Sequence, residues 1–208
     1  MKPFLRNIGI LLFLVLAPWY SVYAQILPDF ATSSTASCSP ATVGFSNLTS
    51  GTVKNYEWDF DNGSTSIFTS PSVIFDKPGS YRVKLTAYDF SGNDYSVTKL
   101  ITIYKNPTAK FTVSSTSICE RDTVEFTNNS IPGNVGIASF LWDFGDGTVS
   151  PQKDATNDYD VASNYTIKLL VTDSFGCTGD TTLINYINVK PKPKVEFSFP
   201  TTRACKAP

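Results

Sequence analysis

The chain has 208 residues, of which 17 are basic and 18 acidic, and its formal net charge is −1. This balance gives no electrostatic reason for binding nucleic acid. Histidine is absent, which removes the usual general base and the commonest zinc ligand. Apolar residues make up 41% of the chain and aromatic residues 13%, which is enough for packed cores, so a globular protein is expected.

The N-terminus predicts export. Lys2 and Arg6 precede an apolar run over residues 8–17, and Val22-Tyr23-Ala24 then offers a cleavage site, which is the order of a secretory signal peptide. A retained membrane anchor is the alternative, but the run is shorter than the roughly 20 apolar residues that span a bilayer. We therefore predict a signal peptide over residues 1–24 and no transmembrane anchor. Its removal leaves 15 basic and 18 acidic residues, a net charge of −3.

The rest of the sequence is organised by an internal repeat. Residues 58–63 read Trp-Asp-Phe-Asp-Asn-Gly, and residues 142–147 read Trp-Asp-Phe-Gly-Asp-Gly. The second copy carries three extra residues before its Trp, within a segment containing Pro132 and Gly133 that is typical of a loop. The matching positions include the starting Phe (Phe30, Phe111), a Cys (Cys38, Cys119), an aromatic residue (Phe75, Tyr159), a Tyr (Tyr81, Tyr165), an Asp (Asp89, Asp173) and a Gly (Gly92, Gly176).

Alternation of apolar and polar residues predicts strands in both copies. Turn residues at 89–93 and 173–177 predict a hairpin late in each copy, and no window shows a helical period. Six or seven strands per copy predict an all-β fold of tandem immunoglobulin-like sandwiches. Trp58 and Trp142 are expected between the sheets, with Tyr81 and Tyr165 on inward strand faces. The early strands are predicted at 29–32, 42–47, 55–60 and 72–75, and at 109–113, 123–128, 140–144 and 158–159.

The domain boundaries follow from the repeat. We predict one domain over residues 27–105 and a second over 107–190, joined by a short linker ending at Pro107. Phe197 is followed by Cys205 at the same spacing as in the two copies, so residues 191–208 are predicted to be a linker and the truncated start of a third repeat. The sequence is then expected to be a fragment of a longer array, and this last segment to be disordered by itself.

These motifs resemble PKD domains, the immunoglobulin-like repeats named after polycystic kidney disease. The resemblance rests on Trp-Asp-Phe-Gly-Asp-Gly, on the strand from Tyr165 to Asp173 and on the closing Gly176-Cys177, and it covers nearly all of residues 27–190. It implies arrays like those of large secreted proteins in the Bacteroidetes, which include adhesins and gliding-associated proteins exported by the type IX system. The first copy departs from the family at Asp61-Asn62-Gly63, and the second at Ser163-Asn164.

The acidic turns invite a calcium hypothesis, because Asp59 and Asp61, or Asp143 and Asp146, could supply hard oxygen ligands. The spacing does not match an EF-hand, since the loop glycine comes one position early and the twelfth position is never Glu. We favour the interpretation that the first Asp accepts backbone hydrogen bonds and the Gly closes the hairpin at positive φ. The sequence therefore predicts no metal and no cofactor.

Four cysteines in an exported chain indicate disulfides. The PKD resemblance implies that Cys119 and Cys177 pair within the second copy. The first copy has Asn93 where Cys177 stands in the second, which leaves Cys38 without a local partner. Cys38 is then a free buried thiol, or it reaches Cys205 or another chain.

These observations predict an exported, non-enzymatic protein whose PKD modules act as spacers and as protein-interaction or adhesion modules at the cell surface. The acids are scattered with no pair at a shared cleft, which argues against catalysis. The alternative is an accessory carbohydrate-binding or spacer module of a secreted polysaccharide-degrading enzyme or protease, with Tyr56, Tyr88 and Phe90 as candidate surface rings. The expected partners are other surface proteins or extracellular glycans. Function is expected on the loops that differ between the copies, above all at residues 128–138.

Overall fold

The computed structural model describes residues 25–198, so the predicted signal peptide and Cys205 lie outside the described residues. Strands form all of the regular structure in this range, and within it no helix is long and apolar enough to cross a membrane. The sixteen strands are β1 (Phe30–Thr32), β2 (Ala36–Cys38), β3 (Ala41–Asn47), β4 (Asn55–Asp59), β5 (Thr65–Ser66), β6 (Ser72–Phe75), β7 (Gly79–Tyr88), β8 (Asp94–Tyr104), β9 (Phe111–Val113), β10 (Ser117–Cys119), β11 (Asp122–Asn128), β12 (Ile137–Asp143), β13 (Val149–Ser150), β14 (Ala155–Tyr159), β15 (Asn164–Asp173) and β16 (Thr178–Lys190).

The strands build two sandwiches with the same topology. In the first domain a three-stranded sheet, β1-β3-β6, faces a five-stranded sheet, β2-β8-β7-β4-β5. The second domain repeats this arrangement as β9-β11-β14 and β10-β16-β15-β12-β13. The predicted fold class, tandem immunoglobulin-like β-sandwiches, is confirmed.

Each core is centred on its tryptophan. Trp58 and Trp142 are fully buried, each amid a cluster of phenylalanine and aliphatic side chains from both sheets. A buried indole N–H needs an acceptor. Trp58 donates to the carbonyl of Phe68 and Trp142 to the carbonyl of Gln152, both at 2.9 Å. The two copies therefore satisfy the same buried donor in the same way.

The two matching tyrosines are half-buried and pack against the cores. The hydroxyl of Tyr81 donates to the carbonyl of Lys77 at 2.7 Å, and that of Tyr165 to the carbonyl of Val161 at 2.8 Å. Each bond spans four residues back along the chain and fixes the loop that enters the long central strand.

Four short strands were missed by the sequence analysis, and two of them, β2 and β10, carry cysteines. β2 pairs in parallel with β8, which places Cys38 opposite Tyr104. β10 pairs in parallel with β16, which places Cys119 opposite Lys190. Three residues are too few for an alternation pattern to show, so only the partner strand defines them. Both cysteines thus lie at the end of their domain from which the chain leaves.

Candidate functional site: the joint between the two domains

A disulfide crosses from one domain to the other. Cys38 is bonded to Cys177, with a Cα separation of 5.4 Å and a sequence separation of 139 residues. The predicted pairing of Cys119 with Cys177 is therefore wrong, and Cys119 is a free, half-buried thiol. The physical reason is the position of β10, because its cysteine lies at the exit end of the second domain, whereas Cys177 lies on a turn that faces the first domain.

The turn that carries Cys177 is held by one carboxylate. Asp173 is 2% exposed, and its Oδ1 atom accepts from the backbone N–H groups of Phe175 and Cys177, both at 2.9 Å. Gly176 has φ of 85°, which a residue with a side chain rarely adopts, and its N–H donates to the carbonyl of Asp173. The sulfur of Cys177 is thereby presented on a rigid, fully buried corner.

Aromatic stacking continues the contact beside the disulfide. The ring of Tyr104, at the end of β8, stacks on the ring of Phe175 with a centroid distance of 4.1 Å and an interplanar angle of 12°. Tyr104 is also the residue opposite Cys38, and its carbonyl accepts from the N–H of Ser39 at 2.9 Å. One strand end therefore supports both the covalent and the aromatic contact.

The linker between the domains is bonded on both sides. The Nδ2 atom of Asn106 donates to the carbonyl of Ser39 in the first domain at 2.7 Å. On the side of the second domain, the N–H of Lys105 donates to Oδ1 of Asn134. A hinge movement at the linker would have to break these bonds as well as strain the disulfide.

Two glycines let the second domain approach the linker. A Cβ atom on Gly133 would lie 1.9 Å from the carbonyl oxygen of Lys105, and one on Gly179 would lie 2.0 Å from that of Pro107. Both distances are far below any allowed contact with a backbone atom. In the first domain Tyr95 stands at the position of Gly179, where no linker has to be accommodated.

The loop that differs between the copies belongs to this joint. Within residues 128–138, a Cβ on Gly133 would clash with the carbonyl of Lys105, and Oδ1 of Asn134 accepts from the N–H of Lys105, so this loop lies against the linker. The three extra residues of the second copy therefore lie against the linker between the domains. The predicted functional role of residues 128–138 stays a prediction.

The acidic turns use their oxygens internally. Oδ1 of Asp59 accepts from the N–H of Asp61 at 3.0 Å, and Oδ1 of Asp143 accepts from the N–H of Gly145 at 3.0 Å. Gly63 and Gly147 have φ of 87° and 96°. This is the hairpin-closing geometry that the sequence analysis favoured. Among residues 25–198, no three side chains of Asp, Glu, Cys or His are grouped to hold a metal ion.

Asp146 is the most strongly bonded acid of these turns. Its Oδ1 atom accepts from the N–H and the hydroxyl of Thr148, and its Oδ2 atom accepts from Nδ2 of Asn157 at 2.7 Å. Burial alone would raise the pKa of Asp146, but the hydrogen bonds from Thr148 and Asn157 outweigh it and hold the pKa below its ordinary value. The remaining acid, Asp61, accepts from the N–H of Arg82 through Oδ2 at 2.9 Å.

The candidate surface rings do not form one platform. Tyr56 is half-buried against the first core, and the hydroxyl of Tyr88 donates to the carboxylate of Glu57 at 2.8 Å. Phe90 is 72% exposed and lies on the turn of the first domain that matches the turn of Cys177 in the second. Of these three candidate rings, only that of Phe90 is freely accessible.

Comparison with known proteins assigns both copies of the sandwich to one domain family. Residues 27–103 and residues 104–189 each match the sequence model of the PKD domain. The chain belongs to the PKD domain family. The predicted tandem of PKD domains is confirmed, and the joint described above is a joint between two PKD domains.

Several curated proteins are similar to parts of the chain. A microbial collagenase of Vibrio alginolyticus is 38% identical over 76 residues, which are 36% of this chain and 9% of that protein. The pre-pro-metalloprotease PrtV of Vibrio cholerae is 26% identical over 133 residues, which are 64% of this chain and 14% of that protein. Collagenase ColA of Clostridium perfringens is 29% identical over 154 residues, which are 72% of this chain and 13% of that protein. The chain therefore spans about a tenth of the length of these relatives.

Among solved structures, the chain is similar to the PKD1 domain of the Vibrio cholerae metalloprotease PrtV. The identity is 30%, the match covers 40% of this chain and 98% of that domain, and the TM-score is 0.36. Segments of proteins named as collagenases and as a metalloprotease are therefore similar in sequence to this chain. The disulfide in this chain is consistent with a location outside the reducing cytoplasm.

A sequence signal for the joint exists in the differences between the copies. Cys177 and Gly179 of the second domain correspond to Asn93 and Tyr95 of the first. Both differences fall on the end of the second domain that touches the first. The PKD resemblance concealed this signal, because it implies a partner for Cys177 within its own domain.

Proposed function

We propose that the two PKD domains form a stiff, non-catalytic spacer in an exported protein, which holds its neighbouring domains at a fixed distance and angle. The observation that supports this most directly is the disulfide between Cys38 and Cys177. A single linker allows two domains to hinge, but a second covalent connection beside it restricts that motion. The bonds of the linker and the ring stack add to the restriction.

Protein interaction at the cell surface is the role that we propose for such a spacer. In this view the chain is part of a longer adhesin-like or gliding-associated protein, exported by its signal peptide over residues 1–24. Its partners are other surface proteins or extracellular glycans. The net charge of the chain is near zero, which favours partners recognised by shape and hydrogen bonding over strongly charged ones.

Small-angle X-ray scattering tests the spacer. The oxidised chain is expected to scatter as one rigid, two-domain particle, and Cys38→Ser is expected to broaden the distribution of interdomain distances, because one of the two connections is lost. Cys119→Ser is the matched control, since it removes a thiol that is not in the joint. Equal flexibility of the oxidised chain and Cys38→Ser would contradict the spacer role.

A second candidate function is that of an accessory module attached to a protease or a polysaccharide-degrading enzyme. The similarity to segments of two collagenases and a metalloprotease favours the protease form of this candidate. Retention of the oxidised chain on insoluble collagen and on insoluble polysaccharides tests it. Phe90→Ala removes the most exposed of the three candidate rings, and Tyr56→Ala serves as the control for a half-buried one. Absence of retention on every substrate would exclude substrate binding and leave only the spacer.

A further inference from the structure

We propose that the exit end of the second domain, centred on Cys119, is a docking site for the hairpin turn of a following PKD domain, and that a cysteine on that turn forms a disulfide with Cys119. The joint between the first two domains would then be one instance of a repeated connection. This inference deepens the spacer role and rests on it, since each further joint would extend the stiff unit by one domain.

The first support is the identical placement of the two cysteines. Cys38 ends β2 and Cys119 ends β10, and both strands pair in parallel with the last strand of their domain. The next residue donates in the same way in both domains. The N–H of Ser39 bonds the carbonyl of Tyr104, and the N–H of Glu120 bonds the carbonyl of Lys190, each at 2.9 Å. Cys119 therefore occupies the position in the second domain that corresponds to Cys38, which is disulfide-bonded, in the first.

The second support is the path of the chain as it leaves each domain. Asn106 bonds the carbonyl of Ser39, the residue after Cys38. Lys192 stands at the position of Asn106, and its N–H donates to Oε2 of Glu120, the residue after Cys119, at 3.3 Å. Its Nζ atom also lies 3.6 Å from Oδ1 of Asp122. The outgoing chain is thus held beside Cys119, as the linker is held beside Cys38.

The third support is the distribution of cysteine on the two turns. The turn of the first domain has the same hydrogen bonds as that of the second, since Oδ1 of Asp89 accepts from the N–H groups of Ser91 and Asn93. It differs in carrying Asn93 where the second domain carries Cys177. In the second domain, therefore, one cysteine lies on the turn that contacts the preceding domain and is bonded to it. The other, Cys119, is free and lies at the opposite end of the domain.

The fourth support is the repeated linker sequence. Pro107, Phe111 and Cys119 recur as Pro193, Phe197 and Cys205 at unchanged spacing. A further domain that begins in this way would place its own turn against Cys119, just as the second domain places Cys177 against Cys38. From this recurrence we identify the proposed docking partner of Cys119 as a PKD domain that follows in the same polypeptide.

Lys190 gives the new joint a different chemistry from the first. It stands at the position of Tyr104, the residue whose ring stacks on the turn of the second domain. An ammonium group in this place favours a turn that carries an aromatic face or an acidic side chain next to its cysteine. The docking turn is therefore expected to have the form Asp-x-aromatic-Gly-Cys or an acidic variant of it.

Formation of the bond is a balanced oxidation. The thiols of Cys119 and of the turn cysteine lose two protons and two electrons, and one S–S bond forms between them. The electrons reduce a disulfide donor, such as oxidised glutathione, to two thiols.

The test completes the third domain. Pro208 matches Asp122, so appending a copy of residues 123–190 after Pro208 gives the full chain a complete third repeat with one turn cysteine, the appended copy of Cys177. The chain is refolded with reduced and oxidised glutathione, blocked by alkylation, digested without reduction and mapped by mass spectrometry. We expect two disulfides, Cys38 with Cys177 and Cys119 with the appended cysteine, and an alkylated Cys205.

Controls distinguish failure of docking from failure of folding. In a matched variant the appended Cys177→Asn recreates the turn of the first domain, and Cys119 should then become fully alkylated. A second version joins a complete copy of residues 105–190 directly after Lys190, which avoids dependence on residues 191–208. Alkylated Cys119 in both versions, with protease-resistant appended domains, would overturn the proposal, and so would a bond from Cys119 to Cys205 or to a second chain. The first disulfide reports separately on the spacer, because its loss alone would count against the spacer role.

Discussion

Replacing Cys38 by Ser is expected to destabilise both domains, although Cys38 belongs only to the first. When the second domain alone unfolds, the folded first domain keeps Cys38 near Lys105, so the disulfide closes the unfolded segment from Lys105 to Cys177. When the first domain alone unfolds, the closed segment runs from Cys38 to Lys105. Each loop has about 70 residues, and closing such a loop stabilises the folded state by about 4 kcal/mol in the chain-entropy model.

Differential scanning calorimetry without reductant measures this effect. A loss of about 4 kcal/mol corresponds to a fall of about 15 °C or more in the melting temperature of a domain of this size. Both domains should shift in Cys38→Ser, and the same shift should appear when the wild-type chain is fully reduced. Cys119→Ser is the control, and it should change either melting temperature little because its thiol is unbonded and half-buried.

Two results would refute this reasoning. If Cys119→Ser lowered the stability of the second domain and Cys38→Ser had no effect, the disulfide would lie within that domain, and the joint described here would not exist. If Cys38→Ser lowered only one melting temperature, the domains would not share the loop closure, and the disulfide would act by local packing alone.

Three further predictions concern single side chains. Gly179→Ala should lower the free energy of unfolding, measured with denaturant, by about 1–3 kcal/mol and slow formation of the disulfide, because its Cβ would lie 2.0 Å from the carbonyl oxygen of Pro107. Gly136→Ala is the control and should leave the free energy of unfolding unchanged, because the space at its Cβ is open. Asp146→Asn should cost at most about 1 kcal/mol at pH 7, because the hydrogen bonds of Asp146 lower its pKa in the folded state while solvent screens this exposed carboxylate. That difference from wild type should persist above about pH 4, the ordinary Asp range, and vanish as the pH falls through the lowered pKa; a difference independent of pH would contradict it. Calcium should not raise the melting temperature, because Oδ1 of Asp143 and both carboxylate oxygens of Asp146 already accept hydrogen bonds. A rise that Asp143→Ala abolishes would reveal a metal site.

Much of each domain could be predicted because its determinants are local and duplicated. The alternation that predicts the long strand from Tyr81 onward, the turn at Asp89 and the glycine at positive φ all act over a few residues. The same pattern of strand and turn residues occurs in both copies of the repeat, which strengthens the prediction. The central position of Trp58 and Trp142 followed from the sandwich, since a large apolar ring between two sheets is the usual way to fill such a core.

The cysteine pairing could not be predicted in the same way, because it depends on how one domain is placed against the other. β2 and β10 are three residues long and form only on the edge of an already folded sheet. Sequence spacing treats Cys38 and Cys119 as equivalent, and they are equivalent within their domains. Only the arrangement of the two domains makes one of them a partner of Cys177 and leaves the other free.

The sequence by itself determined the fold of each domain and the family, because strand pattern and turn chemistry depend on neighbouring residues. The tertiary structure decided the joint: the disulfide, the stack of Tyr104 on Phe175 and the contact of the extra loop with the linker. These contacts join residues that are far apart in the chain. Which residues come into contact depends on how the two folded domains are placed against each other, and a pattern of neighbouring residues does not contain that information.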